Sequence, residues 1–157
     1  MSTNSNYGGY FEDFAPGEVH RHWPGRTIAD YDNVMFSLLS MNQNPLFLDK
    51  EYAAKFEAGR TPVVDTLVFS LTVGMSVADT TGRAIANLGY ESVEFDHPLF
   101  PGDTLYAESE ILEKRASASK PDRGVVRIET RAYNQKHERI LVLRRSYLAP
   151  RRSYEPT

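Results

Sequence analysis

Arg60 to Phe95, RTPVVDTLVFSLTVGMSVADTTGRAIANLGYESVEF, constrains the fold more than any other stretch of the chain. Between Leu67 and Ala78 it carries Leu67, Val68, Phe69, Leu71, Val73, Met75 and Val77, with polar side chains only at Ser70, Thr72 and Ser76. The β-branched residues leave helix against strand undecided by propensity, so length arbitrates, and an apolar run of about a dozen residues exceeds the usual strand. The expectation is a helix buried nearly all round. Pro62 forbids a helix running in from upstream, Asp65 suits the N-cap, and Gly82 stands beyond the end. A helix of this kind needs a sheet around it.

Four runs with strand character follow: Arg83 to Phe95, Thr104 to Lys114, Gly124 to Asn134 and Arg139 to Leu148. Turn chemistry separates them at Pro101 to Asp103, Lys120 to Arg123 and Asn134 to Glu138. Alternation is clearest in VVRIETRAY and ILVLRRSY, as half-buried antiparallel strands require. Upstream, Val19 to Trp23 reads as a short strand. Asp30 or Asp32 can cap a helix whose Val34, Met35, Phe36, Leu38, Leu39 and Met41 share one face expected to be buried. Asn44 precedes Pro45 and must be extended, and Asp49 caps a further short helix closed by Gly59.

The expected architecture is α+β: a single hot-dog domain over residues 10–149, an antiparallel sheet wrapped round a long central helix. Residues 1–9 and 150–157 are expected to be loose. The sheet keeps an exposed edge, so a homodimer or higher homo-oligomer is expected.

At 157 residues the chain supports one domain with its own core. The absence of cysteine removes thiol catalysis, cysteine-bound zinc and disulfides together, and fits a reducing cytoplasm. A net charge of -3 argues against general nucleic-acid binding, which needs a basic face. The N-terminal residues lack a signal-peptide layout and the central apolar run is too short and too rich in serine to span a bilayer, so a soluble protein without a membrane partner is expected.

Asn42 to Asp49 (NQNPLFLD), the run FPGDTLYAESE at 100–110 and the order of elements resemble the MaoC-like enoyl-CoA hydratase family over residues 10–149. VVDTLVF, AIANLGY and PGDTL look closer still to its mesaconyl-CoA hydratase branch, also called β-methylmalyl-CoA dehydratase. The resemblance implies a hot-dog fold, dimers with sites between subunits, and reversible addition of water to an enoyl thioester. CoA enters as part of the substrate, and no other cofactor is implied. The usual hydratase motif has an aspartate two residues before Asn-Pro and a histidine two after, a pair that activates water. This chain has Asn42 and Phe47 there, and neither takes a proton near pH 7.

The catalytic candidates are therefore Asp65, Asn42 and Thr66. Asp65 stands where the family polarises the thioester carbonyl; loss of hydration between Val64 and Leu67 would raise its pKa while the helix N-terminus would lower it. Simple N-capping is its structural alternative. The amides of Thr66 and Leu67 can face a developing enolate oxygen, and Asn42 can hold water or substrate. Substrate-binding candidates are Asn44, Phe47 as an apolar wall, Arg60 for a second carboxylate, Leu67, and Asn87, Gly89 and Tyr90 along the pantetheine arm, with a sheet bulge as the alternative for these last three. His20 and His22 alternate on one possible strand, but no metal spacing emerges and solvent-facing positions are expected. Arg144, Arg145, Arg151 and Arg152 are expected to balance an acidic surface. Two further readings keep the fold: a hot-dog acyl-CoA thioesterase, and a non-catalytic acyl-CoA-binding or partner subunit.

Overall fold

The computed structural model describes residues 7–155. Short strands β1 (Val19–Arg21) and β2 (Arg26–Thr27) lead into α1 (Asp30–Ser40), a 3-10 turn at Pro45–Phe47 and the single turn α2 (Lys50–Ala53). The central helix α3 (Asp65–Ser76) runs on into a π-helical turn, Val77–Thr81. Four long strands complete the chain: β3 (Ala86–Phe95), β4 (Thr104–Ala116), β5 (Arg123–Tyr133) and β6 (Arg139–Pro150). They form an antiparallel sheet of order β1-β4-β5-β6-β3, with β2 pairing β4 off that path. The sheet wraps α3, the hot-dog arrangement expected from the sequence.

Alternation on β5 is complete, with every second residue from Gly124 to Ala132 buried. The inward residues fall into two apolar clusters. One joins Val63, Val64, Leu67 and Val68 of the α3 entrance to Leu105, Ala132, Leu141 and Leu143; the other gathers Phe11, Phe14, Ile111, Val126, Ile128, Tyr147 and Ala149. Between them lies a polar belt. His22 meets Asp79 at 2.7 Å and the Ser109 hydroxyl at 2.8 Å, Ser109 meets Thr130 at 2.7 Å, and buried Arg145 donates to Ser76 Oγ at 2.8 Å. The expectation that His22 faces solvent and that Arg145 balances a surface is thus overturned: both are buried on the inner side of the sheet, where Asp79 and Ser109 meet the two ring nitrogens of His22 and Ser76 meets one nitrogen of Arg145, whose Nε has no partner among the described residues.

Two expectations about helices also fail. In α1 the buried residues are Asn33 and Ser37, while Val34, Met35, Leu38, Leu39 and Met41 are exposed. In α3 only Leu67, Val68, Thr72 and Ser76 are fully buried; Phe69, Leu71, Val73 and Met75 are partly covered. One chain has too little sheet to enclose this helix: β3 ends the strand order and is exposed along nearly its whole length.

Residues 1–6, expected to be loose, lie outside the described residues. Gly8 is buried and its amide donates to Ala78 at 2.6 Å. At the other end, the Arg151 amide donates to Asp122 at 2.7 Å and Tyr154 lies under Arg123. The N-terminal end of the described chain is therefore held by the π-helical turn, and the C-terminal end by the start of β5. No helix among the described residues is long and apolar enough to cross a membrane.

Candidate functional site

The entrance of α3 is assembled by a residue that sequence reasoning missed. Asn33, 2% exposed, donates from Nδ2 to the carbonyls of Pro62 at 3.0 Å and Phe47 at 3.3 Å, and accepts from the Val64 amide at 2.8 Å. One buried amide thus fastens α1, the 3-10 turn and the start of α3 to each other. The signal available in the sequence was Asn33 and Ser37, four residues apart and therefore on one helix face, amid an otherwise apolar run.

Val64 occupies the N-cap of α3 and Asp65 is its first residue, making no side-chain capping bond. The N-cap position thus falls to Val64 and not to Asp65, whose carboxylate makes no hydrogen bond among the described residues. Asp65 is exposed on the single chain, yet nearby protein displaces enough water to push its pKa above the ordinary value. Lost hydration is the cause of that rise.

The amide of Leu67 is committed to the Val64 carbonyl at 2.9 Å, so it is no free donor, and its side chain belongs to the core. The free donors sit one step earlier: among the described residues no acceptor meets the amides of Asp65 and Thr66. Thr66 is itself exposed.

Asn42 and Asn44 shape the loop between α1 and the 3-10 turn. Asn42 Oδ1 accepts from the Asn44 amide at 3.1 Å and Asn44 Oδ1 from the Leu46 amide at 3.0 Å. Their oxygens are spent on turn formation, which leaves the Nδ2 groups as what either side chain can offer a ligand. Phe47 is half-buried and packs against the larger apolar cluster. Arg60 is exposed and its guanidinium lies 3.7 Å above the Phe100 ring.

Asn87, Gly89 and Tyr90 lie on β3, where the pairing with β6 shifts between Asn87 and Gly89 and again between Tyr90 and Ser92. The bulge alternative is therefore realised. Tyr90 alone reaches α3, edge-on to Phe69 with ring centroids 4.9 Å apart. No described contact joins Asn87 or Gly89 to the helix entrance. Asn33 thus ties the Phe47 carbonyl to Pro62 and Val64, the segment that leads into Asp65, while no described contact brings Asn42, Asn44, Thr66 or the β3 residues Asn87 and Gly89 to Asn33.

Two larger clefts lie elsewhere. One of about 630 Å³ is lined by Arg21, Tyr106, Glu108 and Tyr133 among others, and one of about 450 Å³ by Asp13, Glu18, His20 and Asp79 among others. Neither contains an expected site residue. Among the described residues no group of three or more metal-ligating side chains could hold a metal ion.

Comparison with known proteins adds the following. The family model described as "Mesaconyl-CoA hydratase" matches residues 2–157. The chain is 34% identical over 141 residues to a mesaconyl-CoA hydratase of Cereibacter sphaeroides, covering 90% of this chain and 40% of that protein. It is 33% identical over 141 residues to a β-methylmalyl-CoA dehydratase of Chloroflexus aurantiacus, with coverage of 90% and 40%. A solved structure from Mycobacterium tuberculosis, described as having a double hot-dog fold, superposes with a TM-score of 0.86 at 26% identity, over 96% of this chain and 47% of that one. The chain spans about two fifths of the length of the curated relatives it matches.

Proposed function

The chain belongs to the mesaconyl-CoA hydratase family, and from that premise we propose that it adds water reversibly across the double bond of an enoyl group carried as a CoA thioester, a branched or dicarboxylic one such as mesaconyl. The observation that carries this reading is the open first turn of α3, with two unengaged amides beside a carboxyl of raised pKa.

The thioester oxygen lies against the amides of Asp65 and Thr66, which take up negative charge as the enolate forms; such donors are each worth about 3 kcal/mol in comparable oxyanion sites. The Asp65 carboxylate takes a proton from water as its oxygen bonds to C3, then returns that proton to C2. Water is consumed, and the carboxylate ends as it began. The Asn42 and Asn44 amide groups orient the water and the acyl chain, and Phe47 walls the pocket. The reaction needs no cofactor beyond the CoA that carries the acyl group, and the cysteine-free composition suits the cytoplasm.

Asp65 lies too open on one chain for this chemistry. A second hot-dog unit, in the first instance a second copy, closes the site by covering the exposed α1 residues and Leu88, Tyr90, Val93 and Phe95 of the β3 edge. Covering Asp65 further removes water from it and raises its pKa again.

Purified protein given mesaconyl-CoA and crotonyl-CoA should deplete the enoyl absorbance of at least one, and turnover of neither would sink the hydratase reading. Release of free thiol instead would point to a thioesterase. One observation favours a second reading, a partner subunit without activity of its own: the positions of the usual proton-transferring pair hold a turn-forming Asn42 and a core-packed Phe47. Activity arising only on mixing with a second hot-dog chain would support it.

A further inference from the structure

We propose that the cleft beside the α3 entrance, lined by Asp30, Lys50, Gly59, Arg60, Thr61 and Pro101, is a subsite for an anionic oxygen group of the ligand, a carboxylate or a phosphate. The inference rests on the acyl-CoA reading above. At about 300 Å³ the cleft is small for a whole ligand but ample for one such group. It lies on the chain segment that leads straight into α3, with only Pro62, Val63 and Val64 between Thr61 and Asp65.

Three features of the lining fit an anion. First, among the described residues no carboxylate lies within ion-pair range of Arg60. Its guanidinium rests on the Phe100 ring at 3.7 Å, which holds the plane of the fork and leaves its N–H edges available. Second, Lys50 Nζ sits 3.2 Å from Asp30, but with side chains 76% and 67% exposed this pair is weakly held, and either partner is free to turn. With Asp30 counted against it, the lining still carries one positive charge in surplus. Third, the Thr61 hydroxyl is buried and meets no partner among the described residues. An unpartnered buried donor is a standing penalty, which an incoming oxygen removes once the hydroxyl turns toward the cleft.

A planar fork next to a hydroxyl and an ammonium is a match for carboxylate or phosphate oxygens. Two parts of an acyl-CoA have that chemistry: the second carboxylate of a dicarboxylic acyl group, and the phosphates of the carrier.

Calorimetric binding to the wild type and to Arg60→Gln separates them, using mesaconyl and crotonyl thioesters of both CoA and pantetheine as probes. Arg60 is exposed and Gln should leave the fold intact, which circular dichroism checks. We expect a loss of about ten- to a hundred-fold in affinity, the range for a hydrogen-bonded charged group. Loss confined to the mesaconyl probes on both carriers assigns the subsite to the acyl carboxylate; loss confined to the CoA probes with both acyl groups assigns it to phosphate. Thr61→Val, close in shape and lacking the hydroxyl, should weaken the same probes. Equal affinity of wild type and Arg60→Gln for every probe overturns the subsite and leaves the hydratase reading standing. If the wild type binds none of them, the acyl-CoA reading falls and takes the subsite with it.

Discussion

On the proposed reading Asp65 concentrates the chemistry in one side chain, and its pH behaviour follows from its surroundings. Its folded pKa lies above the unfolded value near 3.8, because protein displaces water around the carboxyl. Its contribution to stability is therefore complete below the unfolded pKa and is lost as pH rises through the folded one. Asp65→Asn cannot ionise, so in thermal melts it should be at least as stable as wild type at about pH 7, with the advantage gone by about pH 3. Enoyl-CoA turnover should fall by about a hundred-fold or more. Parallel loss of melting temperature and activity at neutral pH would return Asp65 to a purely structural role. The sequence could place this aspartate at the start of a helix and could reveal Asn42 and Phe47 as departures from the hydratase motif. It could not tell how much water the carboxyl loses, since that depends on neighbours brought in from other elements.

Among the elements, α1 is the one whose orientation inverts the sequence expectation. Its apolar spacing was correctly seen and wrongly turned: Asn33 and Ser37 face inward, Asn33 because the backbone groups of Phe47, Pro62 and Val64 need partners more than the core needs another leucine. Asn33→Ala orphans all three groups and should destabilise the fold by about 3 kcal/mol in denaturant titration, at the upper end for buried unsatisfied groups. A loss under about 1 kcal/mol would mean that water replaces the amide. The π-helical turn is held in another way. Burial keeps the pKa of His22 below 6.5 despite the pull of Asp79, so its stabilising effect is complete above 6.5 and is lost as pH falls toward the folded value. His22→Gln should therefore melt lower than wild type at about pH 8, with the gap narrowing toward about pH 5. A gap that widens in acid would contradict the sign. Neither tie was legible beforehand, because the partners of His22 lie 57 and 87 residues away along the chain.

At the scale of the sheet, the described residues fold as the sequence implied, since strand alternation and turn residues are local signals that survive into the sheet. What sequence could not convey is how much of α3 a single sheet leaves uncovered. The β3 edge, with Val93 37% exposed beside Phe95 and Leu88, is where a second copy should pair. Sedimentation should find the wild type as a dimer or larger and Val93→Lys shifted toward monomer, with enoyl-CoA turnover lost in step; an active monomeric wild type would refute the need for a partner.

The row of His22, Ser109, Thr130 and Arg145 carries a last consequence, for it makes the interior two compartments in place of one. Strain from a cavity on one side has no continuous apolar path to the other. Leu105→Ala and Val126→Ala, one in each compartment, should lower unfolding free energy independently, their sum matching the double variant within about 0.5 kcal/mol. Repacking near the helix entrance can then proceed without disturbing the half of the molecule that holds Phe11 and Ala149.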